Sequence, residues 1–269
     1  MRSKVEKPRG ILNPKVAQQN FELSRHAPSP DLAFFVAHYW IVRWDLRGRA
    51  PYLSETLPHP SIHLVFEKEN TRIVGIMTSK FSRLLEDQGQ VLGIKFRPGA
   101  FYPFVKTRVS QFINRTFSVE DIFGADSQPP EATILALHDE TQMVELAEQF
   151  IFQRLPERDE TVEQVNQIID WIKTNPTITR VDQVAGRFSM SNRTLQRLFN
   201  HYVGVSPKWV IQRYRLHEAA DHLAEGSVDD WPQLALKLGY FDQAHFIKDF
   251  KTIVGKSPAE YAKQVSLPE

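Results

Sequence analysis

The sequence predicts an α+β protein: an N-terminal antiparallel β-barrel with flanking helices, then an all-α segment of two similar helical units. Three observations carry this. From about Ser29 to Phe104 apolar residues recur with a period of two; from Ala100 onward the period is helical; and one short segment occurs twice, 51 residues apart. The 269 residues suffice for two domains of ~100–150 residues each. By pattern they divide into 1–125 for the barrel, 126–160 for a helical connector and 161–265 for the paired units.

In the first division Trp40, Val42, Trp44 and Leu46 alternate with Ile41, Arg43 and Asp45. Ile62, Leu64 and Phe66 share a face, as do Leu92, Ile94 and Phe96. Turn signals at Lys68–Thr71 and Pro98–Gly99 separate these runs, as in a small antiparallel barrel or sandwich. Trp40, Trp44, His63 and Phe66 are the candidate lining of an effector pocket, with Phe34, Phe35 and Tyr39 nearby in sequence.

In the connector, Pro129–Pro130 and the run 155–160 read as linkers. Asp139 is positioned to cap a helix, with Gln142 three residues on. Val144, Ala147, Ile151 and Leu155 form its apolar stripe, a candidate surface for a homodimer. Thr161, with Gln164, is the expected cap of the next helix, whose buried stripe is Val165, Ile168, Ile169 and Ile172.

The repeat is the most informative feature. Phe199, Val203, Gly204, Ser206 and Pro207 return as Phe250, Val254, Gly255, Ser257 and Pro258 with identical spacing. Upstream stand Val184-Ala185 with Ser189, and Leu234-Ala235 with Gly239. Each copy reads as a short helix, a tight turn and a second helix capped by Ser191 or Asp242; Gly239 supplies a left-handed backbone at the second turn. The second helix buries Leu195, Leu198, Phe199 and Tyr202, or Phe246, Phe250 and Ile253. Its other face keeps Arg193, Gln196, Arg197 and Asn200, or Gln243, His245 and Lys248. This is a helix-turn-helix with a polar reading face. Arginine pairs with guanine and glutamine with adenine on the major-groove floor, while lysines such as Lys208 suit phosphates.

Net charge of +1 and a pI near 8.0 say little. Between 180 and 215, however, Arg180, Arg187, Arg193, Arg197, Lys208, Arg213 and Arg215 face a single acid, Asp182. The absence of cysteine excludes disulfides, thiolate metal sites and cysteine nucleophiles, and suits a reducing compartment. The opening MRSKVEKPRG lacks the apolar core of a signal peptide. Leu32–Trp44, the most apolar stretch, contains His38 and Arg43 and is shorter than the ~20 residues of a membrane helix. A soluble, cytoplasmic protein is expected. No Ser/His/Asp set, P-loop or GxGxxG stands out, so no catalytic residue and no cofactor is expected. His59 and His63 with Glu55 and Glu67 are the one imaginable metal set. Pro58 and Pro60 break the helix that would align the two histidines, and these residues read as strand-face and turn positions.

Residues 162–262 resemble the DNA-binding domain of the AraC/XylS family of bacterial regulators. The resemblance runs through Leu195–Phe199, Gly204, Ser206-Pro207, Arg213, Arg215, Ala219, Leu223, Ala235, Gly239-Tyr240, His245-Phe246, Phe250, Gly255, Ser257-Pro258 and Tyr261. It implies two helix-turn-helix subdomains joined by a rigid helix from Pro207 to about Ala224. It also implies base-reading positions at Arg193, Gln196 and Arg197, and at Gln243, Ala244, His245 and Lys248; Asn200, Lys208 and Lys251 complete the expected DNA contacts. Double-stranded DNA and RNA polymerase are the implied partners, and activation of transcription the implied role. Ser189 stands where the family's first turn has glycine, a departure worth ~1 kcal/mol. The N-terminal half is similar, through His38-Tyr39-Trp40, Leu57-Pro58, Ile62–Phe66 and Gly93–Ala100, to the cupin-like sensory barrels that precede this domain and bind small effectors or mediate dimerisation. The alternative is a cupin-type metal enzyme fused to a DNA-binding tail. DNA-repair relatives that transfer alkyl groups need cysteines and are excluded.

Overall fold

The computed structural model describes residues 10–224 and 231–266; Met1–Arg9, expected to carry no leader, lie outside them. The period-two segments form strands. After α1 (Pro14–Asn20) come β1 (Glu22–His26), β2 (Val36–Asp45), β3 (Tyr52–Thr56), β4 (His63–Phe66), β5 (Arg72–Val74), β6 (Phe81–Leu85) and β7 (Gln88–Phe96). Then follow α2 (Tyr102–Val105), β8 (Thr116–Ser118), α3 (Val119–Phe123), α4 (Glu131–Ala136) and α5 (Glu140–Phe152).

The architecture is α+β, with an antiparallel sheet region followed by helices. The hydrogen-bonded ladders do not close into the expected barrel: β1-β2-β7-β4-β5-β8 form one sheet and β3-β6 a separate pair. The chain between β3 and β4 carries Pro58 and Pro60, which have no N–H to continue a ladder. One face of the large sheet, with Tyr39, Ile41, Leu64, Phe66, Leu92, Ile94 and Phe96, is buried in the main core. Met143, Val144, Ala147, Phe150 and Ile151 of α5 pack into the same core, and Phe150 meets Phe66 edge-on at 6.0 Å. The stripe assigned to pairing two chains is thus used inside one chain.

Asp139 caps α5 as expected, accepting from the backbone of Thr141 and Gln142. The next helix, α6 (Glu160–Thr174), is capped by Asp159 rather than Thr161; the carboxylate accepts from Thr161 N, leaving Thr161 in the first turn. From α6 onward the described residues contain helices and no strand: α7 (Val181–Arg187), α8 (Asn192–Leu198), α9 (Pro207–Ala224), α10 (Trp231–Lys237), α11 (Gln243–Val254) and α12 (Pro258–Ser266). α9 occupies the span the sequence assigned to the connecting helix. A π-turn, Phe199–Val203, prolongs α8.

The main core continues without interruption from the sheet through α6, α7 and α8 to Val210 and Ile211 of α9. A second cluster packs Leu216, Ala219, Ala220 and Leu223 of α9 against α10, α11 and α12, with Leu12 and Leu57 added from the N-terminal half. α9 therefore bridges two cores. Arg213 and Arg215, counted from sequence within the basic cluster, are not on its exposed face: they are 2% and 1% exposed. Arg215 donates to the carbonyls of Ile172 (2.5 Å) and Asn175 (3.1 Å), at the end of α6, and to Glu218. Replacing Arg215 by Met would strand two carbonyls and a carboxylate. A loss of about 3 kcal/mol is expected in denaturant unfolding of the full chain; an unchanged midpoint would show that these bonds contribute nothing net.

Candidate nucleic-acid interface and effector cavity

The two short second helices are built alike. Ser191 Oγ accepts from Thr194 N at 3.0 Å, and Asp242 Oδ1 accepts from His245 N at 2.8 Å. Hydrogen bonds from His245, first the backbone and then the ring, hold the Asp242 carboxyl below its ordinary range. Ser189 has φ 52°, as its turn position demands, and Gly239 has φ 79°. A side chain at Gly239 would also strike Thr179, 2.3 Å from an added Cβ.

In α8 Leu195 points inward while Arg193, Gln196 and Arg197 are exposed together; Lys208 is exposed in the first turn of α9. Asn200 lies on the π-turn, where its amide oxygen accepts from Ser110 Oγ of the N-terminal half at 3.4 Å. In α11 Phe246 and Phe250 are buried, and Gln243, Ala244, His245, Lys248 and Lys251 are exposed. His245 Nδ1 sits 2.7 Å from Asp242 Oδ2, so its ring serves the cap. Asp249 accepts from Gln212 at 2.8 Å. Two exposed apolar residues beside them, Phe241 and Ile247, fall outside the set read from the sequence. Aligning the two repeat copies residue by residue would have found Ile247.

A cavity of about 230 Å³ lies between the two sheets. Of the candidate pocket residues, Trp40, Trp44 and His63 line it and Phe66 does not. His63 and Phe66 are three residues apart on one strand, and alternation sends them to opposite faces. Phe34, Phe35 and Tyr39 also belong to the core. The indoles lie over glycines of β7: an added Cβ would approach Trp40 within 2.0 Å at Gly93 and Trp44 within 2.4 Å at Gly89. Trp40 Nε1 donates to His63 Nδ1 at 3.1 Å. The sequence reading missed Arg25, His38 and Lys95, which also line the cavity.

The imagined metal set is committed elsewhere. Glu55 pairs with Lys80, Glu67 with Arg72 and Arg83, and His59 with Arg213. Among the described residues no group of three or more His, Cys, Asp or Glu is placed to hold a metal. Arg213 of α9 reaches the cavity wall itself, donating from Nε to Pro58 O at 2.7 Å and from Nη2 to His59 Nδ1 at 2.5 Å.

Burial, reinforced by Lys95 and Arg25, lowers the His38 pKa to about 2 and that of His63 to about 3; burial and Arg213 hold His59 well below its ordinary value. These rings stay neutral in the folded chain but protonate in the unfolded one below pH ~6.5. The unfolded state then binds more protons, so stability is retained above that pH and declines as pH falls through the window below it. The urea midpoint should therefore drop between about pH 7 and about pH 5, and His63→Gln should flatten the slope. Equal slopes for both proteins would contradict a buried neutral His63.

Two capped helix-turn-helix units sharing one helix define the class. Residues 184–264 match a family described as a helix-turn-helix domain, and residues 24–118 match a domain family of unknown function (DUF6597). An uncharacterized HTH-type transcriptional regulator of Haemophilus influenzae is 37% identical over 87 residues, 32% of this chain and 29% of that protein. The HTH-type transcriptional activator RhaS of Escherichia fergusonii is 32% identical over 108 residues, 39% of this chain and 38% of RhaS. The match thus spans well under half the length of these two relatives. PqrA of Proteus vulgaris, a probable transcription factor, is 30% identical over 109 residues, 39% of this chain and 88% of PqrA. The chain belongs to the AraC/XylS family of transcriptional regulators.

Proposed function

We propose that this protein is a one-component transcription regulator that binds double-stranded DNA through α8 and α11 and takes a small organic effector in the cavity of its N-terminal half. The observation that carries the reading is the duplicated capped helix whose outward face, in α8, presents Arg193, Gln196 and Arg197 to solvent. These are the side chains that recognise guanine and adenine edges in the major groove. Lys208, Lys248 and Lys251 supply phosphate contacts that set register and affinity. Gln243 and His245 flank the second reading face, and Asn200, whose amide oxygen accepts from Ser110, keeps its NH2 donors for a DNA contact.

In this reading 1–125 is the sensory region, 126–160 the connector and 161–265 the DNA-binding region. Two sheets enclosing a cavity support the cupin-like assignment, opened where Pro58 and Pro60 interrupt pairing. The indoles of Trp40 and Trp44 offer an apolar wall, and Arg25 and Lys95 offer charge, which suits a small molecule with an apolar body and a polar end. Likeness to RhaS supports activation, with RNA polymerase as partner, and the family favours a cytoplasmic binding protein over an enzyme. Among the described residues no helix is long and apolar enough to cross a membrane.

Selection of bound sites from random duplexes tests the reading, and two variants sharpen it. Arg197→Ala should cost ~1–3 kcal/mol at the selected site and loosen preference at one or two base positions. Lys208→Ala should weaken all sequences about equally and lower the salt slope by roughly one unit. Failure to enrich any site, or an Arg197→Ala protein with undiminished preference, would overturn it.

A further inference from the structure

We propose that the two reading helices recognise different base chemistry: α8 reads purine edges by hydrogen bonds, whereas α11 reads the 5-methyl groups of thymine through Phe241, Ala244 and Ile247. The proposal rests on the DNA-binding reading above and assigns it a base class that no likeness supplies.

The repeat provides an internal control. Its 51-residue offset places the cap Asp242 on the cap Ser191, and both caps accept from the N–H three residues on. In this register Arg193 corresponds to Ala244, Gln196 to Ile247 and Arg197 to Lys248. Two of the three hydrogen-bonding positions of the first unit are therefore aliphatic in the second. Met190, just before the first cap, is half-buried and packs on the core; its counterpart Phe241 is 95% exposed. Ile247 is exposed as well.

This apolar surface shares a face with cations. Ala244, Ile247, Lys248 and Lys251 stand at i, i+3, i+4 and i+7 of α11, which is one stripe of a helix. Phe241 sits at the N-terminal end of that helix, the end a helix-turn-helix presents to base edges. The two acids nearby lie off this stripe and are engaged within the unit: Asp242 by its own cap and the His245 ring, and Asp249 by Gln212. An apolar strip flanked by lysines complements a major groove in which apolar groups lie between phosphates.

The chemistry selects one base. Alanine, isoleucine and phenylalanine carry no side-chain donor or acceptor. Among the four bases only thymine presents an apolar group, its C5 methyl, in the major groove. Guanine, cytosine or adenine edges beneath these side chains would lose water without gaining a partner, which disfavours them. The bound site should thus be chemically asymmetric, thymine-rich on the side of α11.

The test uses the full chain and the duplex selected from random sequence, with thymines in each half replaced by deoxyuridine, which removes only the methyl. The half contacted by α11 is identified by the protection lost in Lys248→Ala. There, affinity should fall ~4-fold for each contacted methyl, the value of one buried methylene-sized group; replacement in the other half should have little effect. Ile247→Gln, which installs the residue found at the corresponding position of α8, should abolish part of the deoxyuridine response. Phe241→Ser, at a fully solvated position, should do the same without unfolding the chain. Tight binding indifferent to deoxyuridine in both halves would overturn the proposal. So would Phe241→Ser and Ile247→Gln proteins that keep both affinity and the full deoxyuridine response, which would assign the apolar surface to a protein contact. A chain that binds no duplex at all would instead overturn the regulator reading on which the proposal stands.

Discussion

A guanidinium buried in a protein must find acceptors, because leaving its charge unpaired away from water costs several kcal/mol. α9 carries two such groups, Arg213 and Arg215, two residues apart and therefore pointing to nearly opposite sides of the helix. One donates to Pro58 O and His59 in the N-terminal half, the other to Ile172 O and Asn175 O at the end of α6 and to Glu218 one turn on along α9. Neither set of acceptors can move far without stranding a charge. The helix that joins the two helix-turn-helix units is thereby registered against both the N-terminal half and the first unit, and the remaining geometry is arranged around it.

The two units are held differently as a result. The first shares the main core with the sheet, and its π-turn lies against the N-terminal half through Asn200–Ser110 and through Tyr202, whose ring lies tilted against Tyr102 with centroids 4.3 Å apart. The second is built on a separate cluster that, among the described residues, takes only the buried Leu12 and Leu57 from the N-terminal half. Pro58 and His59 belong at once to the cavity wall and to the Arg213 contact. In the proposed reading, a molecule entering the cavity would meet residues that touch the connecting helix directly, a physical route by which occupancy would bias the relative placement of the two units.

Much of this was legible in the sequence where the signal is local. The caps Ser191, Asp242 and Asp139 follow from short-range rules and stand where those rules put them; the left-handed turn at Ser189 and the span of α9 are what the family resemblance implies. What depends on three-dimensional surroundings was not legible. Arg213 and Arg215 look like exposed charge until the acceptors 40 and more residues away are known. The α5 stripe reads equally well as an interface or a core, and the sheet beneath it decides. Alternation along β4 separates Phe66 from His63, and Pro58 and Pro60 interrupt the pairing that a closed barrel needs. Asp159 and Thr161 are both good caps, and Tyr202 donating to Asp159 at 2.7 Å helps to fix that carboxylate in place.

In the proposed reading, α9 is one rigid connector that presents both recognition helices together. A hydroxyl-radical footprint of the protein on its selected duplex measures this directly. It should show two protected patches on one face of the duplex, about 34 Å or one helical turn apart. Inserting about five base pairs between them, half a turn, should leave only one patch protected. Two patches that persist at full strength after the insertion would contradict a rigid α9.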